Sequence, residues 1–200
     1  MKQYSRIFAL LLTLSNITAQ ETIIALELDT AWEKLKKSIS KGDFRSFKSV
    51  YHRDAILVNG ISKKTYPIKN AFEGWEQGFD DTKSGIITAH LDVRFSQRLY
   101  DNSSAHETGI FHYYTVNKDG KQSDSYVHFE SLWVKKNNKW IMIMENQKSR
   151  TDKDEWDELK WNASGSNKRG KMDRKEFLKT SAILTGATIL PTNSVFAENI

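Results

Sequence analysis

The sequence has no cysteine and only two prolines among its 200 residues. Without cysteine, the chain has neither a disulfide framework nor a thiolate metal site. The apolar stretch at residues 7–14 is too short to span a bilayer, so we expect no stable membrane span in the mature domain. Aromatic residues make up 12% of the chain, and six of them are tryptophan. This composition and length fit one domain with a hydrophobic core and additional ends.

A charge excess is missing from the body of the chain, although the net charge is +5. Residues 1–19 contain two basic and no acidic side chains, and residues 165–200 contain six basic and three acidic ones. Residues 20–164 are therefore neutral overall. Phosphate binding needs a clustered excess of Lys and Arg, so we predict no nucleic-acid partner.

The amino-terminal residues 1–19 have the pattern of a secretory signal peptide. Lys2 and Arg6 precede the apolar stretch, and Ala19 precedes a suitable cleavage site before Gln20. We therefore predict that the mature domain is exported, either to the periplasm or out of the cell. The alternative is a buried amino-terminal helix.

Two apolar, aromatic-rich runs flank residues 135–139 and predict a β-hairpin that turns at Asn137 and Asn138. Both runs are apolar on both faces, which places the hairpin in the middle of a sheet. A two-residue turn puts His128, Glu130 and Glu145 on one face. A three-residue loop with a bulge would send Glu145 to the other face, and we adopt the first arrangement.

Apolar periodicity predicts three helices before the hairpin. The predicted helices span residues 22–40, 44–51 and 68–79, and the predicted strands span residues 54–58, 85–100 and 105–116. The later strands form an antiparallel meander with the hairpin. This order of elements predicts an α+β fold, in which a curved antiparallel sheet wraps around about three helices.

Three sequence features point to a known superfamily. They are Ser40-Lys41-Gly42-Asp43-Phe44 between two helices, Tyr51-His52-Arg53-Asp54-Ala55 after the second, and residues 132–140 of the hairpin. With these features, residues 22–149 resemble the nuclear-transport-factor-2-like superfamily, in its SnoaL-like or ketosteroid-isomerase-like branch. The resemblance implies a cone-shaped, cystatin-like roll. It says little about function, because this superfamily includes isomerases, cyclases, dehydratases and domains that only bind or dimerise.

The catalytic residues of ketosteroid isomerases are mostly missing at the matching positions. The resemblance places the general base at Asn59 and the oxyanion-hole tyrosine at Leu35, and neither side chain supplies that chemistry. The acid of the oxyanion hole aligns near Glu130. The resemblance therefore argues against steroid-type isomerisation by the familiar machinery.

The space between the sheet and the helices is expected to hold a mostly apolar pocket. We take His128, Glu130 and Glu145 as catalytic candidates, because a histidine beside carboxylates in an apolar cavity can act as an acid–base pair. The predicted ligand-binding residues are Trp32, Tyr51, Asn59, Trp75, Phe79, His90 and His112.

Three functions remain open on this evidence. We favour a domain that binds a small, apolar or aromatic molecule. The alternatives are an acid–base enzyme of the isomerase, dehydratase or lyase type, and a non-catalytic dimerisation module.

Metal and cofactor sites find little support in the sequence. His90, His106, His112 and His128 lie on predicted strands or at their ends, but none shows a tight ligand spacing, so no metal site is predicted. The sequence has no phosphate-binding glycine loop, no Gly-x-Ser-x-Gly motif and no zincin motif, so no cofactor is predicted.

Aromatic residues are also expected on the outer side of the sheet, where they would form a second apolar face. The residues in question are Tyr113, Tyr114, Tyr126, Phe129 and Trp133. Since the outer face of the sheet commonly pairs subunits in the superfamily that the chain resembles, we predict a homodimer.

The carboxyl-terminal residues form two further segments after a domain at residues 20–150. Residues 151–171 are a charged segment and linker. Residues 172–200 resemble a twin-arginine export signal, with Arg174-Lys175 in place of two arginines and an Ala-type cleavage site after Ala197. Such a signal is out of place at a carboxyl terminus. We hypothesise a fused neighbouring reading frame or the stub of a lost domain, and the alternative is an ordinary amphipathic helix.

Overall fold

The structure is a computed structural model that describes the backbone of residues 2–159 and the side chains of residues 21–159. The elements are α1 (Lys2–Ser40), α2 (Phe44–Lys48), β1 (Tyr51–Asn59), β2 (Lys64–Pro67), α3 (Ile68–Lys83), β3 (Ile87–Tyr100), β4 (Ser104–Asn117), β5 (Gln122–Lys136), β6 (Lys139–Thr151) and α4 (Lys153–Glu158). The predicted tail at residues 172–200 and most of the linker lie outside the described residues. No helix among the described residues is long and apolar enough to cross a membrane.

One six-stranded sheet has the strand order β2-β1-β6-β5-β4-β3. Neighbouring strands are antiparallel except for β1 and β6, which are parallel. The predicted hairpin, β5 and β6, lies in the middle, because its strands are apolar on both faces. The predicted α+β fold with a curved sheet is confirmed. Strand β2 was not predicted.

The hairpin turn has the predicted two residues. Asn137 and Asn138 have φ values of 51° and 58°, and Lys136 pairs with Lys139 across them. Asparagine tolerates this left-handed conformation better than most residues, which explains the tight turn.

The register of β6 changes inside the strand. Val134 lies opposite Ile141, but Leu132 lies opposite Met144, so Ile143 is an extra, bulged residue. Beyond the bulge, Ser131 lies opposite Glu145. A one-residue slip moves the side chains that follow it to the opposite face, here as far as a further bulge at Lys148.

The bulge therefore places Glu145 on the inner face of the sheet, which is the face that packs against α1 and α3. His128 and Glu130 lie on the opposite, outer face. The prediction that His128, Glu130 and Glu145 share one face is wrong.

Helix α1 packs its apolar stripe against the inner face, as its periodicity predicted. The stripe consists of Ile24, Leu28, Trp32, Leu35 and Ile39, all buried. Gly42 has a φ of 62° and ends the first helix, and the Asp43 side chain accepts a hydrogen bond from the Ser46 backbone at the start of α2. A Cβ on Gly42 would lie 2.5 Å from the Phe79 carbonyl oxygen of α3, so only glycine fits this close contact.

Helix α4 covers part of the outer face. Trp156 is buried there, 5.6 Å from His112 and 6.0 Å from Tyr126 between ring centroids. The Arg94 guanidinium lies 4.2 Å from the Trp156 ring, as a cation–π contact. Residues 152–158 thus continue the fold beyond the predicted domain end at residue 150.

Three of the five aromatic residues that were predicted on the outer face lie on the inner face instead. Phe129 and Trp133 are buried on the inner face, and Tyr113 lines the cavity described below. Tyr114 and Tyr126 do lie on the outer face, where they stack on His112. The difference arises because residues of alternating parity on one strand point to opposite faces.

Candidate functional site

A cavity of about 600 Å³ lies between the inner face of the sheet and helices α1, α2 and α3. This volume is within the range of about 300–1,000 Å³ that is typical of small-molecule sites. Its aromatic walls are formed by Trp32, Phe47, Tyr51, Trp75, Phe79, Phe111, Tyr113 and Phe129.

The aromatic rings that helices α2 and α3 contribute to the cavity wall contact one another. The Phe47 ring of α2 lies 5.8 Å from Trp75 and 4.8 Å from Phe79, which are four residues apart on α3. The same ring lies 5.4 Å from Tyr51 at the start of β1. Edge-to-face and tilted contacts of this kind stabilise ring pairs beyond their apolar burial. The cavity wall is therefore a packed aromatic cluster.

Two glycines of α3, Gly74 and Gly78, also line the cavity. They are four residues apart, and a Cβ added to either would meet nothing within 4 Å. Glycine inside a helix costs about 1 kcal/mol relative to alanine. Helix α3 thus leaves open space beside the cavity, and no described neighbour requires the glycines there.

Glu145 is the acidic side chain of the cavity. Its carboxylate accepts a hydrogen bond of 2.6 Å from the Tyr51 hydroxyl and one of 2.8 Å from the Gln147 side-chain amide. Glu145 is half-buried and lines the cavity. Burial raises the pKa of Glu145, and the two hydrogen bonds oppose this shift in part. Burial and the neighbouring Glu145 carboxylate raise the pKa of Tyr51.

A second carboxylate, Glu107 of β4, is fully buried behind the cavity wall. It accepts hydrogen bonds of 2.7 Å from Trp32 Nε1 and from Arg98 Nε. Arg98 also donates to Asp29 of α1 at 2.6 Å, whereas its buried Nη2 atom has no hydrogen-bond partner. Burial lowers the pKa of Arg98, but the two carboxylates outweigh it and raise that pKa overall. This network fixes the orientation of the Trp32 indole at the cavity.

The sequence analysis did not find Glu107 and Arg98. One signal was available, because Glu107 alternates with Ala105 and Gly109 on a strand whose inner positions are otherwise small or apolar. Arg98, however, reaches the inner face only because of a bulge between Phe95 and Gln97.

Six of the predicted site residues line the cavity. They are Trp32, Tyr51, Asn59, Trp75, Phe79 and Glu145. The apolar periodicity of α1 and α3 placed the tryptophans and Phe79 there. Whether any of these residues binds a ligand remains a prediction.

The four other predicted site residues lie on the outer face, away from the cavity. His90 stacks on Tyr114 with 4.8 Å between ring centroids, and His112 lies 2.7 Å from Asp124. His128 lies 3.1 Å from Glu155 of α4, and Glu130 accepts a 2.7 Å hydrogen bond from Lys148. The predicted acid–base pair of His128 with Glu130 or Glu145 is therefore not assembled in the cavity. Within the described residues, no group of three or more His, Asp or Glu side chains is arranged to hold a metal ion.

The fold and its cavity define a protein of the nuclear-transport-factor-2-like class. Residues 25–151 match the family model of the calcium/calmodulin dependent protein kinase II association domain. The match covers more than half of the chain, and the chain belongs to this family. Among curated proteins, none matches the chain.

Solved structures with low sequence identity have a similar fold. A conserved protein from Planctomyces limnophilus DSM 3776 has a TM-score of 0.51 and 12% identity, over 60% of this chain and 91% of its own. A candidate calcium/calmodulin-dependent kinase II association domain from Exiguobacterium sibiricum 255-15 has a TM-score of 0.50 and 11% identity, over 64% and 92%. A nuclear transport factor 2-like superfamily protein from Salmonella enterica has a TM-score of 0.48 and 14% identity, over 66% and 94%. For the first two structures, the similarity at these identities shows the fold alone.

Proposed function

We propose that this domain binds a small, largely apolar or aromatic molecule in the cavity. The observation that supports the proposal is a 600 Å³ cavity with aromatic walls and a hydrogen-bonded carboxyl group, Glu145. Binding sites for small molecules combine an apolar lining with a few polar groups that fix orientation. The open space beside Gly74 and Gly78 gives further support. Glycine destabilises a helix relative to alanine, and no packing contact requires glycine at these two positions.

The test is to fill the cavity and measure the binding of a neutral aromatic probe. Gly78→Leu adds a side chain that points into the open space, whereas Glu76→Leu adds the same side chain at an exposed position of the same helix. We expect the wild type and Glu76→Leu to bind 1-naphthol equally in isothermal titration calorimetry, and Gly78→Leu to bind at least about tenfold more weakly, a loss of 1.4 kcal/mol. Equal binding by all three proteins would place the probe outside the cavity.

We also propose that the domain associates with a second copy of itself through the outer face. A row of apolar side chains crosses three strands there, since Ile56 pairs with Met144 and Met144 pairs with Leu132. Ile56 is 39% exposed, and α4 covers a different part of the face, around Tyr126. Apolar surface that is continuous across strands is typical of association sites. The family name, association domain, agrees with this proposal.

Light scattering after size exclusion tests the association. We expect a dimer for the wild type, a monomer for Leu132→Lys, and a dimer for Ile86→Lys, which changes an exposed isoleucine outside the row. A monomeric wild type would contradict the proposal, as would a dimer that Leu132→Lys leaves intact.

Export remains a proposal that rests on residues 1–19. Its test is the mass of the mature protein recovered from outside the cytoplasm. We expect a chain that begins at Gln20, and a full-length chain in the cytoplasm would contradict the proposal.

A further inference from the structure

Glu145 has no counter-charge among the described residues. Both of its hydrogen-bond donors, the Tyr51 hydroxyl and the Gln147 amide, are neutral. The other charged side chain that the structure describes along the cavity is Arg150, which is exposed, lies beyond a bulge at Lys148 on β6 and forms no ion pair with Glu145. Within the described residues, the cavity thus holds a carboxylate without an ion-pair partner.

Glu107 differs from Glu145, because it does have a counter-charge. Glu107 is fully buried, whereas Glu145 is half-buried, and Glu107 is paired with the guanidinium of Arg98 at 2.7 Å. A buried carboxylate without a cation is costly, and it either takes up a proton or acquires a partner. Since each Glu145 oxygen accepts one hydrogen bond, lone pairs remain for a donor that enters the cavity.

The surroundings of Glu145 favour a positive charge. The Tyr51 ring, whose hydroxyl contacts the carboxylate, lines the cavity and lies 5.4 Å from Phe47, which lines it as well. Aromatic faces attract ammonium groups, and the attraction increases when water is excluded. A carboxylate beside aromatic rings is a combination that recognises organic cations.

We propose that the ligand of this cavity is an organic cation, an amine on an apolar or aromatic body, whose ammonium group binds the Glu145 carboxylate. This inference rests on the proposed function, because it assigns a chemical class to the molecule in the same cavity. The ammonium group donates charge-assisted hydrogen bonds to Glu145, and the body of the molecule packs against the aromatic walls. The ligand thereby supplies the positive charge that the described cavity lining lacks near Glu145.

Three probes with the same ring and different end groups test the proposal. They are 2-phenylethylamine, which is a cation at pH 7.5, 2-phenylethanol, which is neutral, and 3-phenylpropionate, which is an anion. Their affinities are measured by calorimetry for the wild type, Glu145→Gln and Glu130→Gln. Glu130 serves as the control because its carboxylate lies on the outer face and is paired with Lys148.

We expect the wild type to bind the amine at least about tenfold more tightly than the alcohol. Glu145→Gln removes this preference, and a circular dichroism spectrum identical to that of the wild type shows that the variant is folded. Glu130→Gln keeps the preference. Tighter binding of the propionate, equal binding of amine and alcohol, or an amine preference that survives in Glu145→Gln would each overturn the inference.

The probes also separate this inference from the proposed function. If the alcohol binds and the amine has no advantage, the apolar cavity remains a binding site and the cation assignment fails. If none of the three probes binds, the proposed function fails and the inference fails with it.

The pH dependence provides a second readout. Tyr51 and Gln147 contact Glu145, and Arg150 lies at a distance along the strand, so Glu145 is the acidic group of the cavity that titrates in the acid range. The amine stays protonated below about pH 9. We therefore expect its affinity for the wild type to fall as the pH is lowered through the raised pKa of Glu145. A flat profile in the wild type would overturn the inference, whereas Glu145→Gln is expected to be flat.

Discussion

Replacing Glu107 with alanine is expected to remove a large part of the stability of the domain. The Glu107 side chain is fully buried and accepts hydrogen bonds from Trp32 Nε1 and Arg98 Nε. Removing one partner of a buried ion pair costs about 3–5 kcal/mol, because the other charge stays buried without compensation. Asp29 still pairs with Arg98, which lowers the loss, while the buried indole N–H of Trp32 loses its acceptor at a cost of about 1–3 kcal/mol. We expect a total of about 4 kcal/mol, against a typical stability of 5–15 kcal/mol for a whole domain.

Urea unfolding followed by circular dichroism measures this loss. With a slope of about 2 kcal/mol per molar urea, the midpoint should fall by about 2 M at an unchanged slope. Glu130→Ala is the matched control, because Glu130 lies on the neighbouring strand, on the outer face, and its ion pair with Lys148 is partly exposed. Exposed pairs contribute less than about 1 kcal/mol. If Glu107→Ala costs no more than Glu130→Ala, the reasoning about the buried network is refuted.

Three further predictions concern α3, Glu145 and α4. Gly74→Ala should raise the free energy of unfolding by about 0.5–1 kcal/mol, because alanine favours the helix and its Cβ enters open space; a lower melting temperature in calorimetry would contradict this. Glu145→Gln should become more stable relative to the wild type as the pH rises above about 4.5. The folded state raises the pKa of Glu145, so the wild type loses stability as the pH rises from the unfolded pKa through the folded one, whereas the glutamine variant does not. Urea midpoints across this pH range test the sign, and a difference that shrinks with rising pH would refute it. Trp156→Ala should destabilise the domain by about 3 kcal/mol through loss of a buried aromatic side chain, and should increase amide hydrogen exchange in α4; unchanged exchange in residues 153–158 would contradict the packing of α4 on the sheet.

The parts of the fold that depend on local patterns were predictable. The turn at Asn137 and Asn138 requires left-handed residues, and the central position of the hairpin follows from strands that are apolar on both faces. The helical spacing of Trp75 and Phe79 likewise placed both rings at the cavity. In each case, neighbours along the chain determine the outcome.

The register of β6 was not predictable, because the strand is apolar on both faces. The same property places the strand in the centre of the sheet. Residues 140–144 are all apolar, so no alternation of polar and apolar residues marks the bulge at Ile143. That bulge decides whether Glu145 faces the cavity or the outer side. The pairing of Glu107 with Arg98 was hidden in a similar way, since it depends on a second bulge between Phe95 and Gln97.

Native mass spectrometry of the protein purified from its own host tests the central claim most directly, with Gly78→Leu prepared in parallel. If the cavity holds a small molecule, the wild-type protein carries an additional small mass, and Gly78→Leu, which fills the open space of the cavity, carries little or none. Glu76→Leu should retain the additional mass. Wild-type chains without any bound mass, or a mass that Gly78→Leu retains in full, would contradict the claim that this cavity is a binding site.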